Sequence, residues 1–418
     1  MKNKIKLLTI SIFLFFLILN ISYFYNFNKN NSNSTKILLT NNENDLIKKY
    51  PDFNSKLPLI IIKTNNENIS INNNENTYIN KSKGILKEIN KKDNNLKDNF
   101  NSISYATIKL RGNSSLFFDK KQYKIEFFKT DKYKDKSHVP LLNLKKEIDW
   151  VLHGPFLDKS FIRNHLIYQI SQNLFDYVPD SKLCEVFINN DYKGIYVLIE
   201  SIKESYNRID LYNFSLLSGN TPYILQREIK RTELNEINTY GTKKGYTSHQ
   251  LSIKYPTSND LLKKQKEWII NDINEFEKSL YSKQFKNPLL GYQKYIDIDS
   301  FINYFIINEF SMNIDASCFS TYIYKDLNGK LKLTLWDYNN AFNNFVEPLD
   351  YNEFYIIDKN WFNRLLQDKY FTDRLIDRYY NLRKTTLSEK NLYKLIDKYQ
   401  NQLKDAAKRN NDKWIKTL

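Results

Sequence analysis

The chain has 418 residues, 41% hydrophobic and 15% aromatic, which is enough to bury a large core in one big domain or two lobes. Nine glycines and nine prolines exclude collagen-like and proline-rich architectures. The net charge of +16 comes from 63 Lys and Arg against 47 Asp and Glu, spread along the chain rather than gathered in a stripe, which speaks for solvated lysines and against nucleic-acid binding.

The first 27 residues, MKNKIKLLTISIFLFFLILNISYFYNF, place lysines before an apolar run of roughly twenty residues, the length that spans a bilayer. The positive flank predicts an uncleaved signal anchor, ahead of a cleaved signal peptide. Either form puts the remainder beyond the cytoplasmic membrane. Residues 28–56 read as an Asn- and Lys-rich linker, and the folded part runs over 57–418. LPLIIIKT (57–64) predicts its first strand, and residues 65–100 read as an exposed loop or hairpin insertion.

Two alternating segments, ISYATIKLRGNSS and KKQYKIEFFK, predict an antiparallel strand pair with Ala106, Ile108 and Leu110 on one face and Tyr123, Ile125 and Phe127 on another. DKSFIRNHLIYQISQNLF (158–175) predicts a helix capped by Asp158 or Ser160. CEVFINNDYKGIYVLIESI reads as a hairpin turning at NNDYKG. The C-terminal half carries 3.6-residue periodicity in QKEWIINDINEFEKSLYS, in YIDIDSFINYFIINEFSMN and from about 360 onward. One short strand pair, STYIYKD and KLKLTLWD, interrupts it. The order predicts an α+β fold with two lobes, a β-rich front over about 57–203 with one helix and a helical back over about 204–418.

Cys184 and Cys318 are too few for a disulfide framework and read as buried small apolar residues. The histidines, His138, His153, His165 and His249, are scattered, which disfavours a His-zinc hydrolase or a Ser-His-Asp enzyme. The aromatic stripe of Phe301, Tyr304, Phe305 and Phe310 reads as core.

Two carboxylates stand out. Asp315 follows an all-round apolar helix, and Asp337 ends the strand LKLTLWD. An unpaired buried carboxylate is costly, so each needs a cation, either a metal ion or a Lys or Arg. The arrangement has the parts of phosphoryl transfer: one Asp to receive the proton of the attacking hydroxyl, a residue five positions on (Ser320), and a second Asp to hold a hard cation. Asn339 lies two residues past Asp337, on the same side if the chain stays extended.

The pieces LPLIIIKT, IKLRGNSS, KKQYKIEF, DWVLHGPFLDKSFIRNHLIYQI, VFINNDYKGIYVLIESI, FINYFIINEF and NIDASCFSTYIYKDLNGKLKLTLWDYNNAF, in that order, resemble the spore-coat protein H (CotH) kinase family. The resemblance spans about 57–418. It implies an atypical protein-kinase-like fold, ATP with Mg²⁺ or Mn²⁺, and transfer of the γ-phosphoryl group to serines of an acceptor protein. It assigns Asp315 as the catalytic Asp and Asp337 as a metal ligand, with Ser320 and Asn339 beside it. It places Arg111, Lys121 and Lys124 at the nucleotide, and strand parity puts Lys121 ahead of Lys124 because Lys121 shares a face with Tyr123 and Ile125. Glu200, at the hinge of a kinase-like order, is placed to reach the adenine or ribose, or to pair with a lysine. Arg163 and Asn164 are expected to orient the cleft.

Ser320 stands where the family carries Asn, and Asn339 where it carries a second acid. Both weaken a hard-cation site. A catalytically inactive kinase-like scaffold or surface-structure protein, and a phosphotransferase acting on a surface glycan, therefore stay open beside the kinase.

Overall fold

A computed structural model describes residues 43–65, 69, 71–72, 78–79, 81–112, 114–212, 219–228, 235–345 and 347–414. The chain divides into two compact units, residues 1–54 with 95–98, and residues 55–94 with 99–418. In the smaller unit, helix α1 (Glu43–Lys49) lies within the stretch expected to be linker. The expected membrane segment falls outside the described residues, and among these no helix is long and apolar enough to cross a membrane.

The barrel of the larger unit has seven strands: β1 (Leu59–Thr64), β2 (Ser82–Ile89), β3 (Ser102–Arg111), β4 (Gln122–Phe128), β5 (Asp149–His153), β6 (Ser181–Ile188) and β7 (Asp191–Glu200). They close into a barrel in the order β6-β7-β5-β4-β3-β2-β1, sealed by parallel pairing of β6 with β1. Closure removes every edge strand of this sheet. The alternating residues Ala106, Ile108 and Leu110 of β3 and Tyr123, Ile125 and Phe127 of β4 point into the barrel core. Their neighbours in sequence face outward, as a period of two requires. The hairpin from β6 to β7 turns on only two residues, Asn189 and Asn190, with φ of +50° and +61°, shorter than the six expected. Asparagine tolerates that left-handed conformation.

Residues 65–100 hold the short hairpin expected as an insertion, with Ile71–Asn72 antiparallel to Tyr78–Ile79, but β2 also lies inside them and pairs with both β1 and β3. Its Lys87 and Glu88 are buried. Charged residues on a strand whose two neighbours cover it hide the apolar signature.

The second half holds α3 (Tyr240–Lys243), α4 (Lys263–Leu280), α5 (Ile298–Phe310), α6 (Asn360–Leu365), α7 (Lys369–Lys384) and α8 (Glu389–Trp414), while α2 (Arg163–Ser171) lies between barrel strands β5 and β6. The expected strand pair, β11 (Thr321–Lys325) with β12 (Lys332–Thr334), is part of a larger sheet. It joins β8 (Tyr223–Arg227), β9 (Glu236–Ile237) and β10 (Leu251–Tyr255) in the order β9-β10-β8-β11-β12. The back half is therefore mixed rather than simply helical. Asp297 caps α5 by accepting from Ser300 N at 2.9 Å, and α5 is buried on nearly every side, as its composition requires.

One apolar core joins the two regions. Val151, Ile195 and Val197 from the outer barrel wall pack with Ile167 of α2, Phe276 of α4, Phe301 of α5 and Leu403 of α8. Polar contacts add to this at the end of α8. Arg409 pairs with Glu185 at 2.7 Å, Lys413 with Asp191 at 2.9 Å, and Asn410 Oδ1 accepts from both Ile195 N and Lys120 Nζ at 3.1 and 2.7 Å. Cys184 is buried in the barrel as expected, whereas Cys318 is only half-buried, with its Sγ 3.5 Å from Ser248 Oγ. Cys318 lies on the loop between α5 and β11.

Candidate active site

A cavity of about 750 Å³ lies between the open wall of β3 and β4 and the loops after α5 and β12. Its lining includes Arg111, Lys124, Asp315, Ser320, Asp337 and Asn339. Six of the eight residues expected to touch nucleotide, metal or acceptor thus meet in one space. Lys121 and Glu200 do not line it.

Lys121 fails for a geometric reason. The Tyr123 and Ile125 face is the barrel interior, so the cleft side of β4 is the opposite one, carrying Gln122 and Lys124. The Lys121 ammonium instead donates to Leu116 O at 2.8 Å. Glu200 is buried and bonds Arg208 Nη1 at 2.8 Å and Asp180 N at 3.1 Å. Burial raises its carboxyl to about 7 against the pull of Arg208. Its partner is an arginine, and it forms a structural pair at the end of β7.

The two aspartates are held by a buried polar web. Asp337 leaves β12 with φ of +65°, and its N–H donates to Tyr168 Oη at 3.2 Å. Tyr338 N donates to Asn164 Oδ1 at 2.7 Å, and Arg163 Nε donates to Ala341 O at 2.9 Å. The first turn of α2 thereby grips the loop, as expected of Arg163 and Asn164. From the other side, Tyr338 Oη donates to Asn308 Oδ1 at 2.9 Å, and Asn313 Nδ2 donates to the same oxygen at 3.0 Å. Asn308 belongs to α5, whose exit carries Asp315. Asn340 Nδ2 then donates to Asp315 Oδ2 at 3.0 Å, tying the two acid-bearing loops directly. Non-glycine residues in left-handed conformations, here Asp337 and Ser320 (φ +48°), persist where the surroundings over-determine them.

Acids and cations both line the cavity. Burial pushes the Asp337 carboxyl up to about 6, opposed by Arg111 and reinforced by Asp315 and Glu228. Glu228, just beyond β8, lines the cavity and was missed in the sequence, because only the register of β8 between β10 and β11 brings it there. Ser320 Oγ lies 3.5 Å from Glu228 Oε2. Arg111 donates to Gln122 Oε1 at 2.9 Å, and its guanidinium carbon lies 5.8 Å from the Trp336 ring centre. The Lys124 ammonium sits 2.8 Å from Asp149. Burial lowers its pKa, but Asp149 outweighs burial and the net direction is upward. His153 also lines the cavity. Burial, then Arg111, hold it down to about 3, so it is neutral there. Gly112, with φ of +114°, starts the turn after Arg111, and a Cβ there would meet Ser115 Oγ at 1.8 Å.

Among the described residues no group of three or more His, Cys, Asp or Glu is gathered as a metal site. The cavity lining offers oxygen donors instead, the carboxylates of Asp337, Asp315 and Glu228, the Ser320 hydroxyl and the Asn339 amide. That donor set suits a hard cation that keeps water and substrate oxygens in its shell.

No curated protein is matched by the chain. A family model described as CotH kinase protein matches residues 108–418, a stretch that takes in the barrel wall from β3 onward, both acid-bearing loops and the C-terminal helices. On that match the chain belongs to the CotH kinase family.

Proposed function

We propose that the chain is an ATP-dependent protein kinase that phosphorylates serines of an acceptor protein, using the cavity between the barrel wall and the Asp315 and Asp337 loops. The carrying observation is the convergence of Asp315, Asp337, Arg111 and Lys124 on one cavity. Arg111 and Lys124 would meet the anionic phosphates, fixing the chain by charge-assisted hydrogen bonds. Asp315, with its Oδ2 oriented by Asn340, would receive the proton of a serine hydroxyl. The serine oxygen bonds to the γ-phosphorus as the bond from that phosphorus to the bridging oxygen breaks, leaving phosphoserine and ADP. Trp336, Phe319 and Phe118 line the cavity and exclude water from part of it.

Mg²⁺ or Mn²⁺ fits the residues present. Asp337, Ser320 and Asn339 offer only oxygen-type ligands, and Asp315 and Glu228 add carboxylates to the same cavity. Bound there, the ion would neutralise charge on the phosphates. The lysine-flanked apolar run in residues 1–27 supports action outside the cytoplasmic membrane, with that run as the membrane partner.

A catalytically silent scaffold is the second reading, favoured by Ser320 and Asn339, which are weaker ligands for a hard cation than the amide and carboxylate expected there. Thermal unfolding of the full chain with ATP, with Mn²⁺ and with both separates the two. The kinase reading expects stabilisation by the two ligands together that exceeds the stabilisation by either alone. Unchanged melting under all three conditions contradicts it and leaves the scaffold.

A further inference from the structure

On the cavity wall, β3 and β4 run antiparallel with Lys109 directly opposite Lys124. Both side chains line the cavity. Like charges directly opposite one another across a sheet are destabilising. Lys124 is compensated by Asp149 at 2.8 Å and Glu126 at 3.6 Å. Glu126 is shared again, with Lys81 and with Lys136, the latter at 3.0 Å. Lys109 has no ion-pair partner among the described residues, although it is half-buried. Burial and then Lys124 lower its pKa. One row nearer the acids on the same two strands stand Arg111 and Gln122, about 7 Å along the strand. The barrel wall therefore presents cations in two successive rows, and the outer row is repulsive in the unliganded protein.

We propose that Lys109 and Lys124 form an anion subsite that holds the non-transferred phosphates of the nucleotide, farther from Asp337 than Arg111 is. The inference rests on the kinase reading for the identity of the anion. Neither the sequence pattern nor the family assignment pointed to Lys109. An anion between the two ammoniums turns their repulsion into two charge-assisted bonds, so a cost in the free protein becomes affinity in the complex.

The test is calorimetric titration of the full chain, with Mn²⁺, by ATP, adenosine and inorganic tripolyphosphate, for wild type, Lys109→Gln and Lys109→Arg. Thermal unfolding without ligand accompanies it. The subsite predicts that Lys109→Gln raises the melting temperature of the free chain, weakens ATP and tripolyphosphate by about tenfold or more and leaves adenosine unchanged, and that Lys109→Arg restores binding. Wild-type affinity for ATP and tripolyphosphate in Lys109→Gln overturns the subsite while the kinase reading stands. A lower melting temperature with equal loss of adenosine and ATP also overturns it, because that is a structural role. If wild type binds tripolyphosphate but not ATP, and Lys109→Gln loses the former, the subsite stands and the nucleotide reading falls. If wild type binds neither, both fall.

Discussion

Asn164 Oδ1 accepts the backbone N–H of Tyr338 at 2.7 Å, so the first turn of a helix beside the barrel fixes the residue that follows Asp337. The same amide lies 3.3 Å, through Nδ2, from His153 Nε2 in the cavity wall. One side chain thus links the acid-bearing loop to the barrel. Asn164→Ala should destabilise the protein by about 1–3 kcal/mol, because a buried donor loses its acceptor. It should also lower phosphoryl transfer by on the order of tenfold or more, through misplacement of Asp337. Chemical denaturation and kinetics measure the two effects separately. An Asn164→Ala protein with normal activity would show that the loop is held without this bond.

The Asp337 carboxyl has a folded pKa of about 6, raised from 3.8 by burial. A raised folded pKa means that its favourable contribution is complete below about pH 4 and is lost as pH rises through about 6. Asp337→Asn should therefore stabilise the metal-free protein at pH 8, by on the order of 2 kcal/mol, with the gain vanishing near pH 4. Stabilisation of wild type by Mn²⁺ should grow as pH rises through about 6 and be absent in the variant, because the carboxylate must ionise to bind. Melting curves of both proteins from pH 4 to 8, with and without Mn²⁺, decide it. A variant less stable than wild type at pH 8 would reverse the sign.

His165 is buried, with its Nδ1 2.8 Å from Ser181 Oγ and its ring 4.7 Å from that of Tyr399 on α8. Burial holds its pKa down to about 3. Here the folded value lies below the ordinary 6.5, so the stability it contributes is present above about pH 6.5 and is lost as pH falls toward 3. His165→Gln should flatten the acid limb of the stability curve by roughly 1.4 kcal/mol per pH unit in that window. Identical acid limbs for the two proteins would place the proton uptake elsewhere.

The Lys120 ammonium is buried, donates to Asn410 Oδ1 at 2.7 Å, and lies 5.1 Å from the Tyr196 ring centre. Burial lowers its pKa well below 10.5. Asn410→Ala removes the oxygen shared by Lys120 and Ile195 N, and should cost roughly 2–4 kcal/mol. Adding Lys120→Met should recover part of that loss. A double-mutant cycle by denaturant unfolding measures the coupling, and simple additivity would mean that the pair does not hold α8 to the barrel.

Much of the architecture was legible because it rests on local periodicity. The strands over 102–111 and 122–128, the hairpin over 181–200 and the helices 263–280 and 298–310 follow from alternation or 3.6-residue spacing. What stayed hidden depends on distant pairing. Strand 82–89 carries buried Lys87 and Glu88, so composition disguised it. The second sheet grew from an apparent hairpin to five strands because β8, β9 and β10 are short and lie between stretches of loop. At the site, Asp315 and Asp337 announced themselves as carboxylates next to apolar elements. Lys121 misled because alternation shows two faces of a strand without saying which one closes into a barrel. Lys109 and Glu228 became visible only once strand register set their rows.

The most direct test follows transfer of labelled γ-phosphate from ATP, with Mn²⁺, to a serine-containing acceptor protein by the full chain, comparing wild type with Asp337→Ala and Asp315→Asn. Wild type should incorporate label into serine, and each variant should lose on the order of 10² or more in rate. Equal incorporation by Asp337→Ala and wild type, or none by wild type, would contradict a phosphoryl-transfer site built on these two acids.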